Sequence, residues 1–296
     1  MKKIQEINFS EEDYPEKLRK IKNPPQKLYA IGNIGLLQKP SLAIVGTRHI
    51  TDYGIKNCKY FAQEIIKKDI PIVSGMAVGT DSVAHKTALE YGGETIAVLG
   101  SGFEHIFPQE NIGLFENIIN RKGLVITEYS PEVKPKSERF LERNRIVSGL
   151  SEGVLIIEAA YRSGTSVTAK LANFQGKVVM ALPGRLDNPY GVGVNKLIQE
   201  GAKLVTNVED VMCHFPQFIN RLGGRKVQTQ LSLWDVKEEY QEIVRILQNE
   251  ILTAEEIMQK TRTKNLRETL NLLINMELDG IIVQEIGVGY RLYRKG

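Results

Sequence analysis

Residues 42–92 read LAIVGTRHITDYGIKNCKYFAQEIIKKDIPIVSGMAVGTDSVAHKTALEYG, and this stretch indicates the fold. Two short apolar runs, LAIVG and PIVSG, each end on a glycine and are each followed by an amphipathic stretch of helical length. Five more apolar runs follow up to residue 214: ETIAVLG, LVITEY, GVLIIEA, KVVMALPG and KLVT. This alternation predicts an α/β fold with a Rossmann-like, doubly wound, mostly parallel sheet that is covered on both faces.

The composition is that of an ordinary globular protein, with 296 residues of which 42% are hydrophobic and 25% charged. The two cysteines, Cys58 and Cys213, form no CxxC motif, which argues against a disulfide framework and favours a reducing cytosol. The N-terminus lacks the apolar run of a signal peptide, and no window approaches the roughly 18 apolar residues of a membrane span. We therefore expect a cytoplasmic protein that is not inserted in a membrane.

The sequence predicts four parts: an N-terminal segment (1–40), the Rossmann-like domain (41–215), a linker (216–234) and a C-terminal domain (235–296). The C-terminal domain contains three predicted helices, the second opened by a capping box at Thr253 and Glu256, and then a β-hairpin around Gly287 to Gly289. This order predicts a small winged-helix domain. Residues 235–296 contain nine Lys and Arg against eleven Asp and Glu, which leaves 30 against 24 for residues 1–234. A polyanionic ligand is therefore expected on the larger part.

Loops rich in glycine and hydroxyl groups follow four of the predicted strands. In a doubly wound sheet such loops meet beyond the carboxyl ends of the strands, where backbone N–H groups and helix N-termini bind phosphate. One mononucleotide rarely needs four such loops, whereas a nucleic-acid strand with several phosphates would use them all. The candidate residues are Gly46, Thr47, Arg48, Ser74, Gly75, Met76, Gly100, Ser101, Gly102, Gly164, Thr165 and Ser166.

A basic segment lies between the fourth and fifth of the seven predicted strands and contains a single aromatic residue among its cations. It reads KPKSERFLERNR over residues 134–145. Cations interleaved with an aromatic ring suit phosphate neutralisation combined with base stacking. The alternative is a core phenylalanine beside a solvated charged face. The candidate residues are Lys136, Phe140, Arg143, Asn144 and Arg145.

The common motifs of catalysis are missing from the sequence. It has no GxxxxGK[ST] Walker loop, no GxGxxG in the first turn and no GxSxG nucleophile elbow. The four histidines lie at no metal-ligand spacing, so we expect no metal site, no cofactor and no catalytic residue. Asp81 and His85 lie four residues apart at a helix start, where a capping aspartate and a packed histidine are favoured over a catalytic pair.

Six segments of the sequence, taken in chain order, resemble the motifs of the DNA-processing protein A family (DprA, also called Smf). The resemblance implies a cytosolic bacterial protein, not an enzyme, that binds single-stranded DNA without sequence preference. It also implies a homodimer that shields this DNA from nucleases and loads the RecA recombinase in natural transformation and homologous recombination. The candidate residues of the loops and of the basic segment would line the DNA pocket. The six similar segments are 43–48, 74–85, 100–111, 140–151, 163–169 and 182–184.

Two other functions remain open from the residues. Rossmann-like nucleotide phosphoribohydrolases (LOG-like enzymes) bind a nucleoside monophosphate with a glycine-threonine loop and a glutamate. Gly164 with Thr165 could form that loop here, and Glu158 could be that glutamate, although the PGGxGT motif of these enzymes is absent. A transcription regulator would place a basic recognition helix in duplex DNA, whereas the third C-terminal helix balances Lys264 and Arg267 against acidic residues. We favour a packing, dimerisation or partner role for the C-terminal domain over duplex binding.

Overall fold

The computed structural model describes residues 3–216, 218, 237–247, 250–261, 263, 265–279, 281–285 and 288–292. Contacts divide the chain into two compact units, Met1–Leu222 and Gly223–Gly296. Apart from residues 216 and 218, the predicted linker lies outside the described residues, as do Lys264 and Gly287. The predicted domain boundaries therefore stay predictions.

The first unit is built on one nine-stranded sheet with the strand order β1-β2-β6-β5-β4-β3-β7-β8-β9. All seven strands predicted from the alternating apolar runs, β3 to β9, are present and run parallel to one another. The α/β prediction is therefore confirmed. The strands are β1 (Gln5–Asn8), β2 (Lys27–Gly32), β3 (Leu42–Val45), β4 (Ile72–Ser74), β5 (Thr95–Val98), β6 (Leu124–Thr127), β7 (Gly153–Ile156), β8 (Val178–Ala181) and β9 (Lys203–Leu204).

Helices cover both faces of this sheet. Along β3, Leu42 and Ile44 belong to one buried apolar cluster and Ala43 and Val45 to another, because successive side chains of a strand point to opposite faces. Within the described ranges, no helix is both long and apolar enough to cross a membrane. The helices are α1 (Glu16–Arg19), α2 (Asp52–Ile66), α3 (Thr80–Glu90), α4 (Ile112–Asn120), α5 (Ser137–Leu150), α6 (Gly164–Phe174), α7 (Pro189–Gln199) and α8 (Val208–Met212).

The first 40 residues add an antiparallel edge to the same sheet. β1 pairs with β2, and β2 pairs antiparallel with β6. The segment is anchored by Tyr14, which is buried and donates a hydrogen bond from its hydroxyl to the Pro25 carbonyl at 2.8 Å. The run LYAIGN (28–33) predicts a short strand, which β2 confirms. The stretch EDYPEKLRKI (12–21) predicts a helix, of which α1 covers only four residues, and the sequence did not anticipate β1.

The second unit contains the three predicted helices and the predicted β-hairpin. The capping box is confirmed, because the Thr253 side chain accepts from the Glu256 backbone N–H and the Glu256 side chain accepts from that of Thr253. Tyr240, Val244 and Leu273 are buried in its core. Its assignment as a winged helix stays a prediction. The elements are α9 (Gln241–Leu247), α10 (Ala254–Lys260), α11 (Leu266–Leu278), β10 (Ile282–Glu285) and β11 (Gly289–Leu292).

Candidate nucleic-acid interface

A pocket of about 420 Å³ opens at the carboxyl edge of the sheet. It lies where the strand order reverses: from β3 the chain continues through β4, β5 and β6 on one side and through β7, β8 and β9 on the other. Loops that leave neighbouring strands in opposite directions create a crevice at such a point, which is where open α/β sheets bind ligands. The pocket is therefore the principal candidate for a ligand site.

Nine of the seventeen predicted residues line this pocket. They come from the loops after β3, β4 and β7 and from the first half of α5, so segments nearly 120 residues apart in sequence meet in one place. Their assignment to DNA binding stays a prediction. The nine are Gly46, Thr47, Arg48, Gly75, Phe140, Arg143, Asn144, Gly164 and Thr165.

Arg48 is the exposed cation of the pocket. Its guanidinium lies 5.9 Å from the centre of the Phe140 ring, in the geometry of a cation–π contact. Phe140 in turn packs against Phe107, with ring centroids 5.4 Å apart. Within the described part of the chain, Arg48 has no hydrogen-bond or ion-pair partner, so its five N–H donors are available to a ligand.

Arg143 lines the same pocket but is buried, with 4% of its surface exposed. It donates from Nη1 to the carbonyl oxygens of Gly75 and Val98, at the ends of β4 and β5. Burial lowers the pKa of the Arg143 guanidinium to about 10, although the nearby Asp81 carboxylate favours the charged form. The side chain therefore remains a cation at neutral pH and holds α5 against the sheet edge.

Two glycines let α5 approach the sheet this closely. A Cβ at Gly75 would lie 2.6 Å from the Arg143 guanidinium, and a Cβ at Gly100 would lie 2.6 Å from the Phe140 ring. Any larger residue would displace these two side chains. The glycines predicted as phosphate-binding positions thus have a packing role, and Gly100 itself lies outside the pocket lining.

Four other predicted loop residues support the loops from within and do not line the pocket. The Ser74 hydroxyl donates to the Ile44 carbonyl at 2.7 Å, and the Ser101 hydroxyl donates to that of His105 at 2.7 Å. Met76 is fully buried and has a left-handed backbone, with φ of +61°. The Gly102 N–H donates to the Val133 carbonyl at 2.8 Å.

Three further predicted residues lie outside the pocket lining. Lys136 is exposed at the N-cap of α5. Arg145 makes a two-pronged ion pair with Glu128, with distances of 2.9 and 2.6 Å. Ser166 lies in the first turn of α6, partly buried. Glu142, the exposed acidic residue next to Arg143 in α5, accepts a hydrogen bond from the Tyr129 hydroxyl at 2.9 Å.

The N-terminus of α6 forms another wall of the pocket. Ser163 is the N-cap residue, and Gly164, Thr165 and Thr168 also line the pocket. The first N–H groups of a helix lack partners within the helix and carry partial positive charge, so they attract phosphate. The buried Ser163 Oγ also has no hydrogen-bond partner among the described residues. This wall therefore adds donors to the cation at Arg48.

Glu158, a buried residue after β7, connects two of the loops around the pocket. Its carboxylate accepts from the backbone N–H of Thr51 at 2.9 Å and from the Thr51 hydroxyl at 2.7 Å. It also accepts from the Asn188 amide at 3.2 Å. Thr51 and Asn188 are the N-cap residues of α2 and α7, so this one carboxylate fixes two helix starts. It is not among the pocket-lining residues.

Asp81 and His85 have different hydrogen-bond partners. Asp81 accepts from the Ala77 N–H at 3.2 Å, whereas the N-cap of α3 is Gly79, so the expected capping role of Asp81 was wrong. His85 is fully buried, and its Nδ1 lies 2.7 Å from the Thr95 hydroxyl. Burial lowers the pKa of His85 to about 3, so the ring stays neutral. Thr95 begins β5, and its hydroxyl donates to the carbonyl of Ile72 at the start of β4, so the ring packs against the amino ends of these strands and not beneath the loop after β4, as the sequence had favoured.

His49, Tyr190 and Phe107 were missing from the predicted site. His49 and Tyr190 line the pocket, and Phe107 packs on Phe140. A signal existed for His49, which follows Arg48 directly, and for Phe107, which lies in the loop after β5. Tyr190 gave none, because its place depends on how α7 begins. In the described residues, no group of three or more His, Cys, Asp or Glu side chains could hold a metal ion.

Comparison with known proteins finds a family and relatives that this chain resembles. Residues 5–216 match the model of the family described as DNA recombination-mediator protein A. The DNA processing protein DprA of Bacillus subtilis is 41% identical over 215 residues, which cover 72% of each chain.

Two solved structures are similar to the chain. The X-ray structure of DNA processing protein A from Streptococcus pneumoniae has a TM-score of 0.68 and 38% identity, covering 71% of this chain and 74% of that one. A structure that describes the single-stranded DNA binding mode of DNA processing protein A from Helicobacter pylori has a TM-score of 0.63 and 34% identity. That match covers 75% of this chain and 98% of the Helicobacter chain.

Proposed function

This chain belongs to the DNA recombination-mediator protein A family, and from that membership we propose that it binds single-stranded DNA without sequence preference in the pocket at the sheet edge. The choice of single-stranded DNA as the ligand is supported by the Helicobacter pylori relative, whose structure describes single-stranded DNA binding. The phosphates of the strand would meet Arg48 and the N-terminus of α6, and a base would stack at Phe140.

The observation that carries this proposal is the pairing of Arg48 with Phe140. A guanidinium that makes no hydrogen bond or ion pair with the described residues can bind a phosphate through two parallel hydrogen bonds, and an adjacent ring offers a flat apolar face to a base. Neither contact distinguishes one base from another, because every nucleotide carries the same phosphate and every base has a π face. Binding should therefore depend little on sequence.

We also propose that the chain is not an enzyme. A LOG-like hydrolase would need Glu158 at the ligand, but this carboxylate accepts hydrogen bonds from Thr51 and Asn188 and is absent from the pocket lining. Asp81, which does line the pocket, is close to the buried Arg143 and accepts from the Ala77 N–H. Incubation with nucleoside monophosphates should release no free base.

The decisive experiment is fluorescence anisotropy with labelled single-stranded and double-stranded oligonucleotides of one sequence, with the unsubstituted protein and Arg48→Ala. We expect a clear preference for the single strand, abolished by the substitution. The affinity should also fall steeply with added salt, since several phosphates are neutralised at once. Binding to neither oligonucleotide, together with hydrolysis of a nucleoside monophosphate, would favour the hydrolase instead.

The cellular role extends this proposal. We propose that the protein is cytoplasmic and dimeric, protects incoming single-stranded DNA and loads RecA on it during natural transformation and homologous recombination. Nuclease digestion of bound and free strands tests protection. A RecA strand-exchange assay with Arg48→Ala as the control tests loading, and equilibrium sedimentation tests the dimer. Unchanged nuclease sensitivity at saturating protein would contradict the protective role.

The C-terminal unit has a different proposed role. With eleven acidic against nine basic residues over 235–296, it is poorly suited to the phosphates of a duplex. We propose a winged helix that serves in packing, dimerisation or partner binding. Removing residues 235–296 should leave single-strand affinity within about threefold of the full chain, because the proposed cations all lie in the first unit.

A further inference from the structure

We propose that His49 and Tyr190 form a second base-stacking surface in the pocket, separate from Phe140. This proposal rests on the proposed binding of single-stranded DNA and specifies how the strand is held. The two rings stack on each other, with centroids 6.1 Å apart and planes inclined by 25°, and both line the pocket. The ligand of this surface is a nucleobase, whose flat face packs on such rings without sequence preference.

The two aromatic surfaces belong to opposite ends of the pocket in the order of the sheet. Phe140 lies against Gly100, which follows β5. Tyr190 is in the first turn of α7, which follows β8, and its carbonyl accepts from the Ala159 N–H after β7. β3, which leads into Arg48, lies between β5 and β8. A strand whose phosphate is held at Arg48 can thus direct one base to each side.

Both rings are available to a ligand. His49 is exposed and Tyr190 is partly exposed. In the part of the chain that the structure describes, neither the His49 ring nor the Tyr190 hydroxyl has a hydrogen-bond partner. A tyrosine that serves only packing is usually buried with its hydroxyl paired, which is not the situation of Tyr190.

The backbone around the two rings is held in place before any ligand binds. The Tyr190 N–H donates to the Asn188 side chain at 2.9 Å, and Asn188 donates to Glu158. On the other side, the His49 N–H donates to the Thr47 hydroxyl at 3.1 Å, and the Thr47 N–H donates to the Glu158 carbonyl at 2.8 Å. Both rings are therefore tied to one buried residue, which reduces the ordering cost of binding a base.

Affinity measurements on ring-removing and ring-keeping variants test the proposal. Tyr190→Ala and His49→Ala should each weaken oligothymidylate binding by about tenfold, as expected when one base no longer stacks. Tyr190→Phe keeps the ring and should bind like the unsubstituted protein. Tyr91→Ala is the matched control, because Tyr91 is an exposed tyrosine at the far end of α3, away from the carboxyl edge. It should leave the affinity unchanged.

The outcomes separate this inference from the proposed function. If the unsubstituted protein binds no single-stranded DNA, the proposed function fails. If Arg48→Ala binds more weakly while Tyr190→Ala and His49→Ala both bind normally, the second stacking surface is overturned and the proposed function stands.

A crosslinking experiment on the unsubstituted protein applies where an alanine variant does not fold. Oligothymidylate with iodouracil in place of thymine forms crosslinks on irradiation to aromatic side chains that stack on it. Peptide mass spectrometry should find crosslinks at Tyr190 or His49 as well as at Phe140. Crosslinks at Phe140 alone would overturn the proposal.

Discussion

The exposed wall of the pocket, here Arg48 and His49, and the buried polar framework of the first unit, here Arg143 and His85, use the same residue types for different purposes. Arg48 in the wall is exposed and makes no hydrogen bond or ion pair with a described residue, whereas Arg143 in the framework is buried and donates hydrogen bonds to two backbone carbonyls. His49 in the wall is exposed, and His85 in the framework is buried and neutral. The difference shows that burial and partners, and not residue type, decide whether an arginine or histidine is available to a ligand.

The largest expected effect is on the stability of the framework. Arg143→Ala removes the guanidinium donor from the carbonyls of Gly75 and Val98 and leaves the buried Asp81 without its nearby cation, so it should lower the free energy of unfolding by about 3–5 kcal/mol. Urea denaturation followed by circular dichroism measures this. Arg48→Ala, the matched control, should change it by less than about 0.5 kcal/mol. Equal midpoints for the two variants would remove the distinction between wall and framework.

The next effect is on ligand binding by the wall. Arg48→Ala should reduce affinity for single-stranded DNA by about 10- to 100-fold, since a hydrogen bond to a charged group contributes about 1.5–3 kcal/mol. The slope of log affinity against log salt should also fall by about 0.7 for each phosphate that the variant no longer neutralises. Arg48→Lys keeps the charge without the planar fork, so it should retain the salt slope and bind somewhat more weakly. An unchanged salt slope in Arg48→Ala would place the phosphate-binding groups elsewhere.

The buried His85 gives the stability of the framework a pH dependence. Its pKa is lowered to about 3 by burial, so the unfolded chain takes up a proton that the folded chain cannot. The stabilisation is complete above about pH 6.5 and declines as pH falls towards 3. Between pH 7 and pH 5 the unsubstituted protein should lose about 2 kcal/mol more stability than His85→Gln. Asp81 is present in both proteins, so its titration does not enter the difference. Parallel pH profiles would contradict a neutral buried His85.

The smallest effect concerns Arg145, whose partner is Glu128. Both side chains are about one-sixth exposed, and the pair lies outside the pocket. Arg145→Ala should therefore cost about 1 kcal/mol of stability and reduce DNA affinity less than Arg48→Ala does. Glu128→Gln tests the pair from the other side and should leave affinity equal or higher, because it releases the arginine. A drop in affinity in Arg145→Ala as large as that of Arg48→Ala would show that the ion pair opens for DNA.

Much of the first unit could be predicted from the sequence. Strands β3 to β8 were anticipated because each is a short apolar run bounded by polar or glycine residues, and a sheet buried on both faces requires such runs. β9 was anticipated as well, although both of its residues are exposed. β1 was missed because it has one buried residue, Ile7, in a polar stretch at a sheet edge. Pairing with β2 stabilises it, and a local pattern does not encode that pairing.

The position of the pocket was predicted better than its lining. Three of the four predicted loops, those after β3, β4 and β7, meet in one crevice because parallel strands end at a common edge, whereas Gly100 to Gly102 after β5 lie outside its lining. The sequence could not distinguish Arg48 from Arg143, since nothing in their local patterns shows how deeply each side chain is buried. Tyr190 was missed because it lies after β8, in the first turn of α7. Its position at the pocket depends on the hydrogen bonds that its backbone makes with Asn188 and Ala159.

The sequence by itself determined the fold class, the family and most of the segments that line the pocket, because hydrophobic periodicity and short motifs are local properties. Only the tertiary structure decided which side chains are available to a ligand. The strand order brings residues 46–49, 140–144 and 190 together, and the depth of each side chain then fixes its role. A buried guanidinium must satisfy protein carbonyls to offset its lost hydration, whereas an exposed one remains solvated and can exchange water for phosphate.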